Sequence, residues 1–143
     1  MKVYVAAPLA AVTEVQAVQA AVVAAGHQLT FDWTRSEDID VGDSGYADAP
    51  EAAKRIATND LDGALAADAV LVLATEHEGR GTYVELGAAL ARASSGQAVD
   101  VVLVGEVHHD SVFHHHPLVR RVADVEEWLA LPQPGPACPD GPG

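Results

Sequence analysis

Short apolar runs alternate along the chain with longer stretches whose apolar residues recur at helical spacing. Four runs are short, apolar and bounded by proline, glycine or polar residues, and are therefore predicted as strands: 3–7, 28–33, 69–74 and 98–104. Three longer stretches between them are predicted as helices: 10–25, 50–67 and 79–94. Gly26 is placed to cap the first helix. Beyond a His-rich loop, the pattern predicts an edge strand at 118–122 and a last helix at 124–131, which begins with Asp124 and Glu127 at capping-box spacing.

This alternation predicts a single α/β domain over residues 1–131. The expected fold is Rossmann-like (flavodoxin-like), with a mostly parallel sheet and helices on both faces. Residues 34–48 form a long polar, acidic loop, and residues 132–143 form a Pro/Gly-rich tail that is predicted to be disordered. Because ligands of parallel sheets bind beyond the carboxyl ends of the strands, four segments are expected to line a site: 6–9, 33–35, 75–82 and 105–116.

Composition narrows the classes of partner. The 143 residues carry 21 acidic and 8 basic side chains, a formal net charge of −13 that repels nucleic acids and acidic lipid surfaces. The single cysteine, Cys138, has no disulfide partner, and no apolar run approaches the roughly 20 residues of a membrane span. Thr13 and Glu14 come too early for a secretory signal peptide. We therefore expect a cytoplasmic protein that binds neither nucleic acid nor membrane. A small anionic ligand stays compatible with this charge, because a helix N-terminus or one arginine binds phosphate locally.

Asp60 is the first residue that the pattern selects for chemistry. Helical spacing aligns it with Ile56, Ala64 and Ala67 on an apolar stripe. Because burial disfavours a charged carboxylate, the pKa of Asp60 is expected to rise, which suits a general acid. The alternative is a solvated or capping aspartate, and that is the interpretation favoured for the neighbouring Asp62.

Glu85 is the second such residue. It lies near the start of the helix that follows the third strand, where the helix dipole is expected to keep the carboxylate ionised, as a nucleophile requires. Two carboxyl groups in opposed environments indicate a division of labour between an acid and a nucleophile. The alternative is structural, because Thr82 and Glu85 have capping-box spacing and the glutamate would then bond the Thr82 amide.

Further residues near the strand ends leave two interpretations open. Arg80 either pairs with an anionic ligand group or balances the charges of Glu76 and Glu78 in an acidic loop. Glu78 likewise either contacts the ligand or belongs only to this acidic loop. Trp33 and Phe113 either stack on a base or pack in the core. The other residues of these segments that are expected to contact substrate are Ala6, Pro8, Gly81 and Thr82.

Three kinds of site are not expected. Five histidines crowd one loop, but adjacent histidines cannot all face one ion and no acidic or cysteine partner has helical ligand spacing, so one histidine, His114, is expected to contact substrate instead of a metal. The turn around Gly79 and Gly81 lacks the third glycine of a dinucleotide fingerprint, so no NAD site is expected. A G-x-S-x-G elbow for a serine nucleophile is absent from the sequence.

Three segments together resemble the nucleoside 2-deoxyribosyltransferase family and its nucleotide N-hydrolase relatives: VYVAAP at 3–8, NDLDG at 59–63 and GTYVELGAA at 81–89. Where the transferases commonly carry an aspartate shortly before the G-T pair, this chain has Glu78, Gly79 and Arg80. By this resemblance Glu85 would form a covalent glycosyl-enzyme, Asp60 would protonate the leaving base, and Tyr4 would hold Glu85 in position.

The activity implied by the resemblance is cleavage of the N-glycosidic bond of a nucleoside, with transfer of the sugar to another base or to water. Two alternatives stay open. One is a nucleoside 5′-monophosphate N-hydrolase in which Arg80 and a helix N-terminus hold the phosphate, and the other is a non-catalytic nucleotide-binding sensor domain in which Glu85 is only a cap. The resemblance also implies a homo-oligomer with shared sites, whose interface includes the Glu85 helix or the loop 105–116.

Overall fold

The computed structural model describes residues 1–37 and 45–133. Within them, five strands form one sheet: β1 (Lys2–Ala6), β2 (Gln28–Leu29), β3 (Ala69–Leu73), β4 (Asp100–Val104) and β5 (Val119–Val122). The α-helices of the same residues are α1 (Val12–Ala24), α2 (Pro50–Ala66), α3 (Arg80–Ser94) and α4 (Val125–Ala130). The strands lie in the order β2-β1-β3-β4-β5, and every neighbouring pair is parallel. The prediction of a Rossmann-like α/β fold is confirmed, and the sheet is parallel throughout.

Helices cover the sheet on both faces, which explains the nearly continuous apolar sequences of the central strands. Every residue of β3 is buried, as are the residues of β1 after Lys2. α1 packs against α4 and α2 packs against α3, so the four helices form two pairs, as expected when helices cover both faces of a parallel sheet. Arg92 of α3 ties the second pair together, because its Nη1 donates to the carbonyl oxygens of Ala64 at 2.9 Å and Ala67 at 2.8 Å.

The second strand is shorter than the sequence predicts. A strand was expected over 28–33, but β2 has only two residues. Asp32 caps a 3₁₀ turn at Trp33–Arg35, which takes the chain out of the strand conformation. The ladder hydrogen bond that a longer strand would make is replaced by a side chain, because the indole Nε1–H of Trp33 donates to the carbonyl of Val5 at 2.8 Å.

The other predicted elements are present with small shifts at their ends. Gly26 follows α1 with φ 92°, as a C-terminal cap requires. Asp124 caps α4 by accepting the N–H of Glu127 at 2.8 Å, and β5 lies at the sheet edge as expected. None of the helices in the described ranges is long and apolar enough to cross a membrane. Residues 38–44 of the predicted 34–48 loop lie outside the described residues, as does the tail from 134 onward with Cys138.

Candidate active site

A cleft of about 420 Å³ opens at the carboxyl end of β1. The strand order reverses between β1 and β3, and such a switch point is where ligands of open parallel sheets bind. The volume lies within the range of small-molecule pockets, roughly 300–1,000 Å³. The cleft brings together Glu85 and Asp60 with most of the predicted substrate-binding residues: Pro8, Trp33, Glu78, Arg80, Gly81 and Thr82.

Glu85 is buried at this cleft and is held by a tyrosine. It is the sixth residue of α3, and only 9% of it is exposed. The hydroxyl of Tyr4, from the middle of β1, donates to Glu85 Oε1 at 2.6 Å. Burial is the main cause that raises the pKa of Glu85 to about 7, the Tyr4 hydrogen bond opposes that rise, and the charge of Asp60 adds to it.

The expectation that the helix dipole favours the ionised form of Glu85 is therefore wrong in direction, because the pKa is raised rather than lowered. The helix dipole acts mainly within the first turn, whereas Glu85 lies in the second turn of α3, where loss of hydration outweighs it. The capping alternative is also wrong, because α3 begins at Arg80 after the N-cap residue Gly79 and no side chain caps that end. Thr82 thus lies inside the helix, and the carboxylate of Glu85 bonds Tyr4 instead.

Asp60 lies on the face of α2 that borders the cleft. It is partly buried beside Ile56, while Ala64 and Ala67 on the same stripe are fully buried. Burial raises the pKa of Asp60 to about 6, which confirms the predicted direction. Asp62 is exposed, as expected.

The two carboxyl groups do not have opposed environments, which corrects the sequence-based expectation. Burial raises the pKa of both, to about 6 for Asp60 and about 7 for Glu85. Asp60 loses its proton at the lower pH, and its charge then opposes the ionisation of Glu85. Burial and the nearby Glu85 also raise the pKa of Tyr4 far above its usual value, so the phenol keeps its proton and serves as a donor.

The N-terminal end of α3 forms another wall of the cleft. A methyl group on Gly79 would lie 2.9 Å from the Pro8 side chain, so glycine permits this turn to pack on the β1–α1 connection. Among residues 1–37 and 45–133, Arg80 forms no hydrogen bond or ion pair, so it does not balance Glu78 as the structural alternative supposed. The Glu78 carboxylate instead lies 3.9 Å from His109 Nδ1.

Three predicted substrate-binding residues lie outside this cleft. Ala6 is fully buried within β1. Phe113 is 56% exposed and borders a separate groove beside α3, while His114 is buried and stacks on Tyr83 with ring centroids 5.8 Å apart. The loop 105–116 therefore does not line the cleft that contains Glu85 within one chain.

Trp33 packs in the core and also borders the cleft. Its ring borders the cleft, yet only 9% of the residue is exposed and its indole N–H bonds Val5. Sequence reasoning did not select Phe31, Tyr46 or Ile56 as lining residues. The sequence offered a feature that could have identified Tyr46, because it is an aromatic residue in a polar loop and loops often carry binding residues. Ile56 could have been identified by its place on the same apolar stripe as Asp60.

Two histidines of the loop contact different partners. His109 Nε2 contacts the carbonyl of Glu76 at 2.7 Å, and His115 Nε2 contacts Asp110 at 2.9 Å. Over the described part of the chain, no group of three or more His, Cys, Asp or Glu side chains is placed to hold a metal ion.

No protein-family model, curated protein or solved structure matches this chain. The resemblance to the nucleoside 2-deoxyribosyltransferases therefore stays a hypothesis that rests on three short segments and on the residues they bring to the cleft.

Proposed function

We propose that this protein cleaves the N-glycosidic bond of a nucleoside and transfers the (deoxy)ribosyl group to another base or to water. The observation that carries the proposal is the buried Glu85 carboxyl, held by the Tyr4 hydroxyl at 2.6 Å in the same cleft as the second carboxyl, Asp60. Two carboxyl groups of raised pKa in one concave site are the groups that glycoside cleavage uses as nucleophile and acid.

Each group has one task in the first half-reaction. Tyr4 holds Oε1 of Glu85, and Oε2 attacks C1′ of the sugar. The new C1′–O bond replaces the C1′–N bond, whose electron pair leaves with the base. Asp60 gives its proton to the departing base nitrogen and becomes a carboxylate.

The second half-reaction reverses these roles. An acceptor base or a water molecule attacks C1′, and the glycosyl ester of Glu85 breaks to regenerate the carboxylate. The Asp60 carboxylate takes the proton of the attacking group. The enzyme is a transferase if an acceptor base outcompetes water in the cleft and a hydrolase if it does not.

The protonation state required for attack is available near neutral pH. The reaction needs a charge on Glu85 and a proton on Asp60, whereas the free pair favours the proton on Glu85 because its pKa is higher. Positive charge develops at C1′ in the transition state, next to Glu85, and favours the ionised glutamate. The reaction therefore starts from the minor form of the pair, in which Asp60 carries the proton and Glu85 the charge, and the transition state favours that form.

The walls of the cleft fit a nucleoside. Phe31, Trp33, Tyr46 and Ile56 supply an apolar and aromatic surface for a base, and the carboxyl groups lie beside it for the sugar. Among the described residues, three acidic side chains and one arginine border the cleft, so an uncharged nucleoside meets less repulsion from them than a phosphorylated one.

A specific observation favours a second candidate, a nucleoside 5′-monophosphate N-hydrolase. Arg80 is exposed without an ion pair in the described ranges, and the N-terminus of α3 beside it has no side-chain cap. Free first-turn amides and a guanidinium both bind phosphate. The two candidates share the chemistry at C1′ and differ in whether the substrate carries a 5′-phosphate.

We also propose that the protein acts as a cytoplasmic homo-oligomer on a small nucleoside or nucleotide, without a cofactor, a nucleic acid or a membrane. Tyr83 and Phe113 border one groove between α3 and the loop 105–116, and Val84 and Val112 are exposed nearby in sequence. Exposed apolar side chains at this position support an interface there. A neighbouring subunit would then bring its loop to the site.

The experiment that tests the proposed activity measures free base released from a panel of nucleosides and their 5′-monophosphates, each with and without an acceptor base. Base release from nucleosides with exchange into the acceptor supports the transferase, and release that needs the 5′-phosphate supports the hydrolase. Binding of a nucleotide without release of any base would support the sensor domain and contradict both enzymes. Glu85→Gln is the matched control, because it keeps the shape of the side chain and removes the nucleophile.

A further inference from the structure

Gly63 occupies an unexpected place in the middle of a helix. It lies in α2 three residues after Asp60 and is buried. Glycine is among the least favourable residues in a helix interior, and alanine is the most favourable. Gly63 is not one of the glycines with positive φ, so its backbone conformation does not require glycine. The reason for a glycine must therefore be a close contact.

That contact is with Tyr4. A methyl group added to Gly63 would lie 2.8 Å from both Cδ2 and Cε2 of the Tyr4 ring, and 3.0 Å from Cβ of Phe31. The Tyr4 ring has no exposed surface into which it can turn, and its hydroxyl is bonded to Glu85 at 2.6 Å. The ring therefore fits between the backbone of α2 and the carboxylate of α3.

α2 is also fixed at this point and cannot simply move away. The carbonyl of Gly63 accepts the hydroxyl of Thr30 at 2.8 Å, and Arg92 of α3 bonds the carbonyls of Ala64 and Ala67. Hydrogen bonds on two sides hold the helix at its present distance from the sheet. An added methyl would then displace the Tyr4 ring, which carries the hydroxyl that bonds Glu85.

We infer that Gly63 is a positioning residue for Glu85, because its missing side chain lets α2 approach the Tyr4 ring and thereby fixes the Tyr4–Glu85 hydrogen bond. The same contact sets the distance between α2, which carries Asp60, and the strand that carries Tyr4. The effect on the hydrogen bond is a property of the fold, while its effect on catalysis rests on the proposed function.

The direct test is the pH titration of Glu85 in Gly63→Ala. NMR of ¹³C-labelled glutamate carboxyls monitors the titration, and the signal of Glu85 is assigned by its absence in Glu85→Gln. Since the Tyr4 hydrogen bond lowers the pKa of Glu85, its loss raises that pKa in Gly63→Ala, as it does in Tyr4→Phe. In the Tyr4→Phe background the same glycine substitution produces no further change, because the hydrogen bond is already gone. An unchanged Glu85 titration in Gly63→Ala overturns the inference.

Asp62→Ala is the matched control. It raises helix propensity at the neighbouring exposed position of α2 and adds no atom near Tyr4, so the titration of Glu85 stays as in the wild type. A rise of the Glu85 pKa equal to that in Gly63→Ala would overturn the inference, because the change would then come from the helix rather than from the ring.

A second variant tests the inference if Gly63→Ala does not fold. If Gly63→Ala does not fold, then Tyr4→Leu/Gly63→Ala, which removes the ring from the contact, folds as well as Tyr4→Leu alone. Failure of the double variant when Tyr4→Leu folds would show that the methyl group meets something other than Tyr4, and would contradict the inference.

Turnover separates the inference from the proposed function. In Gly63→Ala we expect kcat to fall about tenfold to a hundredfold with a smaller change in KM, and to fall no further when Tyr4→Phe is added. If wild-type protein releases no base from any substrate while the Glu85 titration behaves as described, the proposed function fails and the positioning role stands.

Discussion

The buried Glu85 carboxyl makes the stability of the protein depend on pH, and Glu85→Gln isolates that dependence. In the fold the pKa of Glu85 rises from its ordinary value of 4.5 to about 7, mainly because of burial. The folded state therefore prefers the protonated carboxyl, so its contribution to stability is complete below about pH 4.5 and is lost as the pH rises through about 7.

The magnitude follows from the two pKa values. Each pH unit between the folded and unfolded pKa is worth about 1.4 kcal/mol, so the loss between pH 4.5 and pH 8 is on the order of 3 kcal/mol. Glutamine has the shape of protonated glutamate and retains an oxygen that accepts from the Tyr4 hydroxyl, but it does not ionise. The variant should therefore match the wild type in acid and exceed its stability above pH 7.

Urea unfolding of both proteins at several pH values from 4.5 to 8.5 measures this difference, because other titrations occur in both chains and largely cancel. Phe31→Leu serves as a control for a change beside the cleft that leaves Glu85 ionisable. A difference in the free energy of unfolding that stays constant with pH, or a wild type more stable than Glu85→Gln at pH 8, would refute the reasoning about burial.

Three further perturbations test other parts of the account. Asp60→Asn should slow substrates with poor leaving bases far more than those with activated bases, and an equal loss for both would show that Asp60 does not protonate the base. Trp33→Phe leaves the Val5 carbonyl without its indole donor and should lower the free energy of unfolding by about 1–3 kcal/mol, measured in urea, where a loss below about 0.5 kcal/mol would contradict the structural role of the indole. A chain truncated after Leu131 should keep its activity and its oligomeric state by light scattering; a fully active monomer would contradict shared sites, and lost activity would contradict a dispensable tail.

The parallel sheet could be predicted from sequence, because strands that are buried on both faces appear as short, nearly continuous apolar runs. The run at 69–74 contains only apolar residues and becomes β3, the centre of the sheet. The end of β2 was not readable, because an indole from Trp33 takes the place of a ladder hydrogen bond. The pattern of apolar residues predicts where strands lie. It does not indicate where a side-chain donor takes the place of a backbone N–H and so ends a strand early.

The two carboxyl groups show the same limit within the site. Periodicity placed Asp60 on a buried stripe and so gave the correct direction for its pKa. The pKa of Glu85 is raised by burial under parts of the chain that are distant in sequence, such as Tyr4 at 81 residues away, and helical spacing alone does not indicate that burial. The position of Glu85 near a helix start instead suggested that the helix dipole would lower its pKa. That effect is smaller than the rise caused by burial.

The most direct test of the central claim is mass spectrometry of the protein quenched during turnover of a nucleoside, with the Glu85-containing peptide isolated. The account predicts a glycosyl adduct on Glu85 in the wild type, and neither the adduct nor base release in Glu85→Ala, with the variant folded by circular dichroism. Base release that persists in Glu85→Ala, or an adduct on another residue, would contradict the assignment of Glu85 as the nucleophile.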